Sequence, residues 1–196
     1  MNKREKEKII DFLIEANKLK DVKRTGWVAV KIRYPESDAA HVYMVALMAS
    51  LLSKKLKVNK EKLIDMILIH ELNEVYTGDI GTKPDGFRYT LDKKGRMKKF
   101  TGDKKKLEER GMKKVLSKLP QSMRKRYYKL WREFEENETN EAKAAHGLDR
   151  LDHAILSVLY KKRTKRNLEG FLEVEKFMKN PYLKDLQKIV KKKFSK

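Results

Sequence analysis

The stretch ILIHELNEVYTGDI, residues 67 to 80, places one histidine and three carboxylates in and just beyond a run of isoleucine and leucine. On a helix His70, Glu71 and Glu74 fall three and four residues apart and share one side, which continues the apolar line of Leu63 and Ile67. Ionised carboxylates on a buried helix are costly unless cations or a metal ion offset them. A core histidine bonded to a carbonyl, with both glutamates paired to lysines, would also account for the pattern, but other helices offer ligands of the same kind. His41 lies on the stripe formed by Met44 or Val45, Met48 and Leu52, and Asp149 and Asp152 flank the stripe Ala145, Leu148, Ile155 and Leu159. Two imidazoles and two carboxylates would make a mixed nitrogen and oxygen site suited to Mn, Co, Ni, Zn or Fe, with no choice among them. HELNE is not the zinc-protease motif, because Glu74 stands where its second histidine belongs. Ile67 likewise occupies the position that a di-iron Glu-x-x-His motif needs.

These ligands must be carried by helices. Apolar periodicity predicts helices over Lys6 to Leu19, Ser37 to Leu56, Asn59 to Val75, Lys104 to Leu119, Gln121 to Glu136, Thr139 to Tyr160, Asn167 to Lys179 and Tyr182 to Lys193. Ser37 and Asn59 read as N-caps and Gly78 as a stop. The segment Lys83 to Thr101 resists the helical pattern. Its Phe87, Tyr89, Lys94-Gly95 pair and dense charge predict a long basic loop or a short hairpin around 83–101. The chain of 196 residues, 40% hydrophobic, suits a single all-α domain spanning residues 1–196. It has no cysteine, no apolar run of membrane-spanning length and no secretory pattern at its N-terminus, so a cytoplasmic protein is expected.

The net charge of +21 is concentrated in two segments: residues 83 to 132 carry +14 and residues 161 to 196 carry +9. Such segments attract polyanions. A Lys-rich, Glu-rich solvated surface gives the same composition, and both readings stand. RKRYYKLW, residues 124 to 131, interleaves basic and aromatic side chains as single-strand binders do, although an amphipathic helix with Tyr128 and Trp131 inward explains it better. Trp27 and Tyr34 could stack on a nucleoside or pack. His146 and His153 read as structural or surface residues.

Taken together, R-T-G-W at Arg24 to Trp27, E-S-x-x-x-H at Glu36 to His41, H-x-x-x-E-V-x-T-G-D at His70 to Asp79, and the late E-A-K and L-D at Glu141 and Leu148 resemble the HD-domain phosphohydrolases, in their 5′-deoxyribonucleotidase-like branch. The resemblance implies an all-helical HD-domain bundle, a homodimer, and an enzyme acting on nucleotides or other phosphate esters with a divalent metal (Mn, Co, Ni, Zn, Fe or Mg). It implies metal ligands at His41, His70, Glu71 and Asp149. It also implies catalytic carboxylates at Glu74 and Asp79 and a phosphate contact at Arg24. Two positions depart from the family: Glu71 replaces the aspartate of the HD pair, and Ala40 replaces an acid before the first histidine. The expected chemistry is phosphomonoester hydrolysis of (deoxy)nucleoside 5′-monophosphates by metal-activated water. The alternative from a different class is a nucleic-acid-binding protein that uses segments 83–132 and 161–196.

Overall fold

The computed structural model describes residues 1–83, 86–164, 166–175 and 178–195. Its helices are α1 (Lys3–Asn17), α2 (Thr25–Ala29), α3 (Asp38–Leu56), α4 (Lys60–Ile69), α5 (Glu74–Thr77), α6 (Lys104–Leu116), α7 (Gln121–Glu136), α8 (Asn140–Thr164) and α9 (Pro181–Phe194). Three short antiparallel strands, β1 (Gly81–Thr82), β2 (Arg88–Leu91) and β3 (Met97–Lys99), pair in that order. The chain forms two compact units, each built from two separate stretches of sequence: residues 1–40 with 69–129, and 41–68 with 130–196.

In the first unit α6 packs on α1 and on α5, and α2 packs on β2 and β3. The α5 contact requires Gly111, because a Cβ there would lie 2.8 Å from the carbonyl oxygen of Asn73. Trp27, Met112, Val115 and Leu116 are fully buried in this unit. The expected hairpin is present and gains a third strand. Tyr89 pairs with both Gly81 and Lys99, and Gly95 makes the turn at φ 72° that its lack of a Cβ permits.

In the second unit α9 packs along α8, and the Leu183 side chain fills the space over Gly147. Val45, Leu63, Met66, Ile67, Leu148 and Leu151 are buried there. Asn59 caps α4 by accepting from the Lys62 N–H at 3.0 Å and donates its own N–H to Glu141 at 3.1 Å.

Two expected helices differ. The helix expected from Asn59 to Val75 ends at Ile69, and residues 70 to 73 form a tight turn before α5. Three-residue bonds replace four-residue ones there, from the Leu72 N–H to the Ile69 carbonyl and from the Glu74 N–H to the Glu71 carbonyl. Among the described residues from Asn167 to Lys179 the chain forms a 3₁₀ turn at Glu169–Leu172 and no α-helix, residues 176 and 177 lying outside the described residues. Gly170 weakens a helix at that point, and the Leu172 carbonyl instead accepts from Gln187 at 2.8 Å. RKRYYKLW lies in α7, with Trp131 buried and the Tyr128 hydroxyl donating to Glu109, as an amphipathic helix requires.

Candidate functional site

The broken helix at residues 70–73 sorts the carboxylates of the first unit. Glu71 goes to Arg24, whose Nη1 lies 2.6 Å from Glu71 Oε1 and 3.5 Å from Asp38 Oδ1. Arg24 is only 7% exposed, so it is no surface arginine. His70, also buried, keeps its Nε2 3.4 Å from Glu71 Oε1.

Glu74 goes to a different set. It offers an oxygen to a cluster with Asp38 and Asp79 in which the three carboxylate oxygens lie within 4.8 Å of one another. Asp79 is held from outside the cluster, its Oδ2 accepting from the Thr25 N–H at 2.6 Å and the Thr25 hydroxyl at 2.9 Å. The Thr90 hydroxyl donates to the Asp79 carbonyl, which ties the sheet to this residue.

Asp38 and Glu74 face each other as two buried acids, each with one oxygen lacking a hydrogen-bond donor. Burial pushes the Asp38 carboxyl up to about 7, against the pull of Glu74 and Arg24. Burial likewise raises Glu74 well above the carboxylate range, and the charges of Glu71, Asp38 and Asp79 add to the rise. One proton shared between the two is the physical resolution. Close by stands Lys104. Burial disfavours its charge, but Glu108 at 3.3 Å and the charges of Glu74 and Glu71 outweigh that and raise its pKa.

The second unit contributes an imidazole with two aspartates. His41 is fully buried, with Nδ1 2.7 Å from Asp152 Oδ2 and Nε2 3.0 Å from Asp149 Oδ1, and His153 stacks on it at 5.3 Å. If the Nδ1–H donates to Asp152, Nε2 presents its lone pair to a carboxylate oxygen. Two electron-pair donors held that close suit a cation between them, with Asp152 fixing the tautomer behind the ligand. Burial pushes the Asp149 carboxyl up, but His153 and His41 beside it hold it well below the usual carboxylate range. It therefore stays an anion.

Each residue expected from the sequence has a place. His70, Glu71, Glu74, Asp79, Arg24 and Trp27 belong to the first unit, and His41 and Asp149 to the second. Trp27 is fully buried and donates its indole N–H to Glu36 at 3.1 Å. His146 bonds the Phe134 carbonyl and stacks on that ring, a structural role, whereas His153 is part of the His41 and Asp149 set. Sequence reasoning missed Asp38 and Lys104. Asp38 lies one helical turn before His41 on α3, and that spacing was the signal available for it.

Comparison with known proteins places these geometries. A family model described as HD domain matches residues 16–190. Human 5′-deoxynucleotidase HDDC2 is 32% identical over 152 residues, covering 78% of this chain and 68% of the human one. The Dictyostelium discoideum protein of the same name is 30% identical over 176 residues, covering 86% and 85%. A crystal structure of a Pyrococcus horikoshii protein superimposes with a TM-score of 0.73 at 25% identity, covering 95% of this chain and 98% of that one.

Proposed function

Because the chain belongs to the HD-domain family and is a metal-dependent phosphohydrolase related to the 5′-deoxynucleotidases, we propose that it removes the phosphate of (deoxy)nucleoside 5′-monophosphates. The carrying observation is the first unit's pairing of a buried arginine with a close set of carboxylates, Arg24 beside Asp38, Glu74 and Asp79.

His41, His70, Glu71 and Asp149 have the donor chemistry to ligate a divalent ion, and we read residues 1–196 as one catalytic domain. Such an ion, when bound, supplies Lewis-acid charge at the phosphoryl oxygens and makes water acidic enough to attack. Arg24 then binds the non-attacked phosphoryl oxygens, for which its planar fork is suited. Glu74 orients or deprotonates the attacking water, with Asp38 beside it. Asp79, held by Thr25, assists the nucleophile or the departing 5′-oxygen. Trp27 acts by fixing the α2 turn that follows Arg24. A cytoplasmic setting fits the absence of cysteine. Among the described residues no helix is long and apolar enough to cross a membrane.

The enzyme works as a homodimer. Tyr43, Leu47 and Leu51 recur every four residues along α3 and stand 64%, 40% and 70% exposed, an apolar stripe of the kind a second copy would cover.

The test is metal analysis of the purified protein, followed by a nucleotide panel with Mn²⁺ or Co²⁺. Phosphate release from deoxynucleoside 5′-monophosphates, lost in Glu74→Ala, supports the reading; no release with any metal in the panel refutes it.

A further inference from the structure

We propose that the exposed face of the β1–β2–β3 sheet binds single-stranded nucleic acid, with Phe87 stacking on a base and the lysines and arginines around it contacting the phosphates.

Phe87 is 37% exposed just before β2, and it carries two cations: Lys83 Nζ is 5.2 Å from the ring centroid and Lys99 Nζ is 6.0 Å. Beside it opens a cleft of about 500 Å³ with Phe87, Phe100, Arg88 and Lys99 among its walls. Gly86 leaves one margin bare, with nothing within 4 Å of where a Cβ would be, and at Gly102 a Cβ would meet the Phe100 ring at 3.0 Å. All three side chains of β3 are exposed.

Among the described residues the positive charge of the sheet is only partly neutralised, Arg96 being paired with Asp92 at 2.8 Å. Asp85, just before the segment, lies outside the described residues, and between residues 86 and 103 the sequence has six Lys/Arg and two Asp. Both aspartates are engaged in holding turns: Asp92 accepts from Arg96 and from the Lys94 N–H, and Asp103 caps α6 through the Lys106 N–H. Lysines on an edge strand also prevent strand-to-strand aggregation, which would explain Lys98 and Lys99. That role gives no reason to set an aromatic ring between two ammonium groups beside a cleft. Stacking on an aromatic face combined with backbone neutralisation is how single strands are bound without sequence preference. Duplex DNA, whose bases are stacked internally, offers nothing to Phe87.

The test is fluorescence anisotropy of the full-length protein with a 20-nucleotide oligothymidylate carrying a 5′ dye, which leaves no 5′-phosphate to hydrolyse, and with a duplex of equal length. The expected result is salt-dependent single-strand binding whose log–log slope falls by about 0.7 in Lys99→Glu, the β3 charge reversal, from one lost phosphate contact. Phe87→Ala is expected to weaken the single strand by about 5- to 100-fold, as loss of one stacked base does, to leave duplex affinity unchanged, and to be rescued by Phe87→Tyr. Charge reversal at Lys191 and Lys192 on α9 is expected to have little effect. Three results each overturn the proposal: no binding at 50 mM salt, equal single-strand affinity in Phe87→Ala and the parent, or an α9 reversal as damaging as the β3 reversal. Nucleotidase activity is measured alongside, and Phe87→Ala is expected to retain it, so failure of the binding surface is separable from failure of the catalytic reading.

Discussion

Replacing Asp38 with asparagine should stabilise the metal-free protein while impairing catalysis. Asp38 is fully buried with Glu74 against it, and its carboxyl is pushed up to about 7 from an ordinary 3.8. Between those two values the folded chain holds a proton that the unfolded chain releases, so stability falls as pH rises from about 4 to about 7. At 1.36 kcal/mol per pH unit, the loss reaches roughly 4 kcal/mol at neutral pH as an upper bound. Asparagine keeps a donor for Glu74 permanently and an oxygen for Arg24, but it surrenders the charge that Arg24 meets at 3.5 Å. A net gain of about 1–3 kcal/mol at pH 7.5 remains, which for a chain of this size is a melting temperature higher by several degrees. At pH 4 both versions carry a neutral group at position 38 and the advantage should vanish. Thermal melts of parent and variant in EDTA at pH 4, 5.5 and 7.5 measure this directly. A lower melting temperature in Asp38→Asn at pH 7.5, or a difference that does not change with pH, would show that the pair does not share a proton in the way described.

Other outcomes follow from neighbouring contacts. Asp152→Ala removes the group that orients His41 and should weaken metal affinity by about 10- to 100-fold, read by titration calorimetry with Mn²⁺. Glu74→Gln should lower kcat by about 10²- to 10⁴-fold with KM little changed, because a general base is lost and binding is not. Arg24→Met leaves Glu71 and Asp38 without their buried cation and should cost about 3–5 kcal/mol in chemical denaturation. Gly111→Val forces atoms against the Asn73 carbonyl and should cost about 1–3 kcal/mol, with loosening at α5 visible in hydrogen exchange.

Much of the molecule could be read from residue order, for reasons that differ by region. Apolar stripes located α3, α6, α7, α8 and α9 to within a few residues, with Ser37 read as a cap before α3, because periodicity and caps are local properties. The turn at residues 70–73 was not visible in that way. Nothing in HELN is a helix breaker, and the break depends on Gly111 from α6 approaching the Asn73 carbonyl and on Arg24 drawing Glu71 away from Glu74. The metal-site candidates were legible because histidines and acids on apolar faces need an explanation. Asp38 was missed because an acid in a first helical turn is ordinary until Glu74, 36 residues later, is found opposite it. Residues 24–29 showed no helical period because α2 is too short to display one. Asp152 marks a middle case, since its spacing from Asp149 was plain but its partner, 111 residues away, was not.

Because each unit is assembled from two stretches of sequence, the order of synthesis matters. The first unit is complete in sequence at residue 129, when only residues 41–68 of the second have been made. Arg24 can meet Glu71, and Thr25 can meet Asp79, while the ribosome is still adding α8. His41 must wait for Asp149 and Asp152, and α8 waits in turn for α9 to cover it. The nascent chain thus exposes the apolar residues of the 41–68 stretch until residues 130–196 have followed, an interval in which chaperone binding and premature pairing of two copies compete with folding.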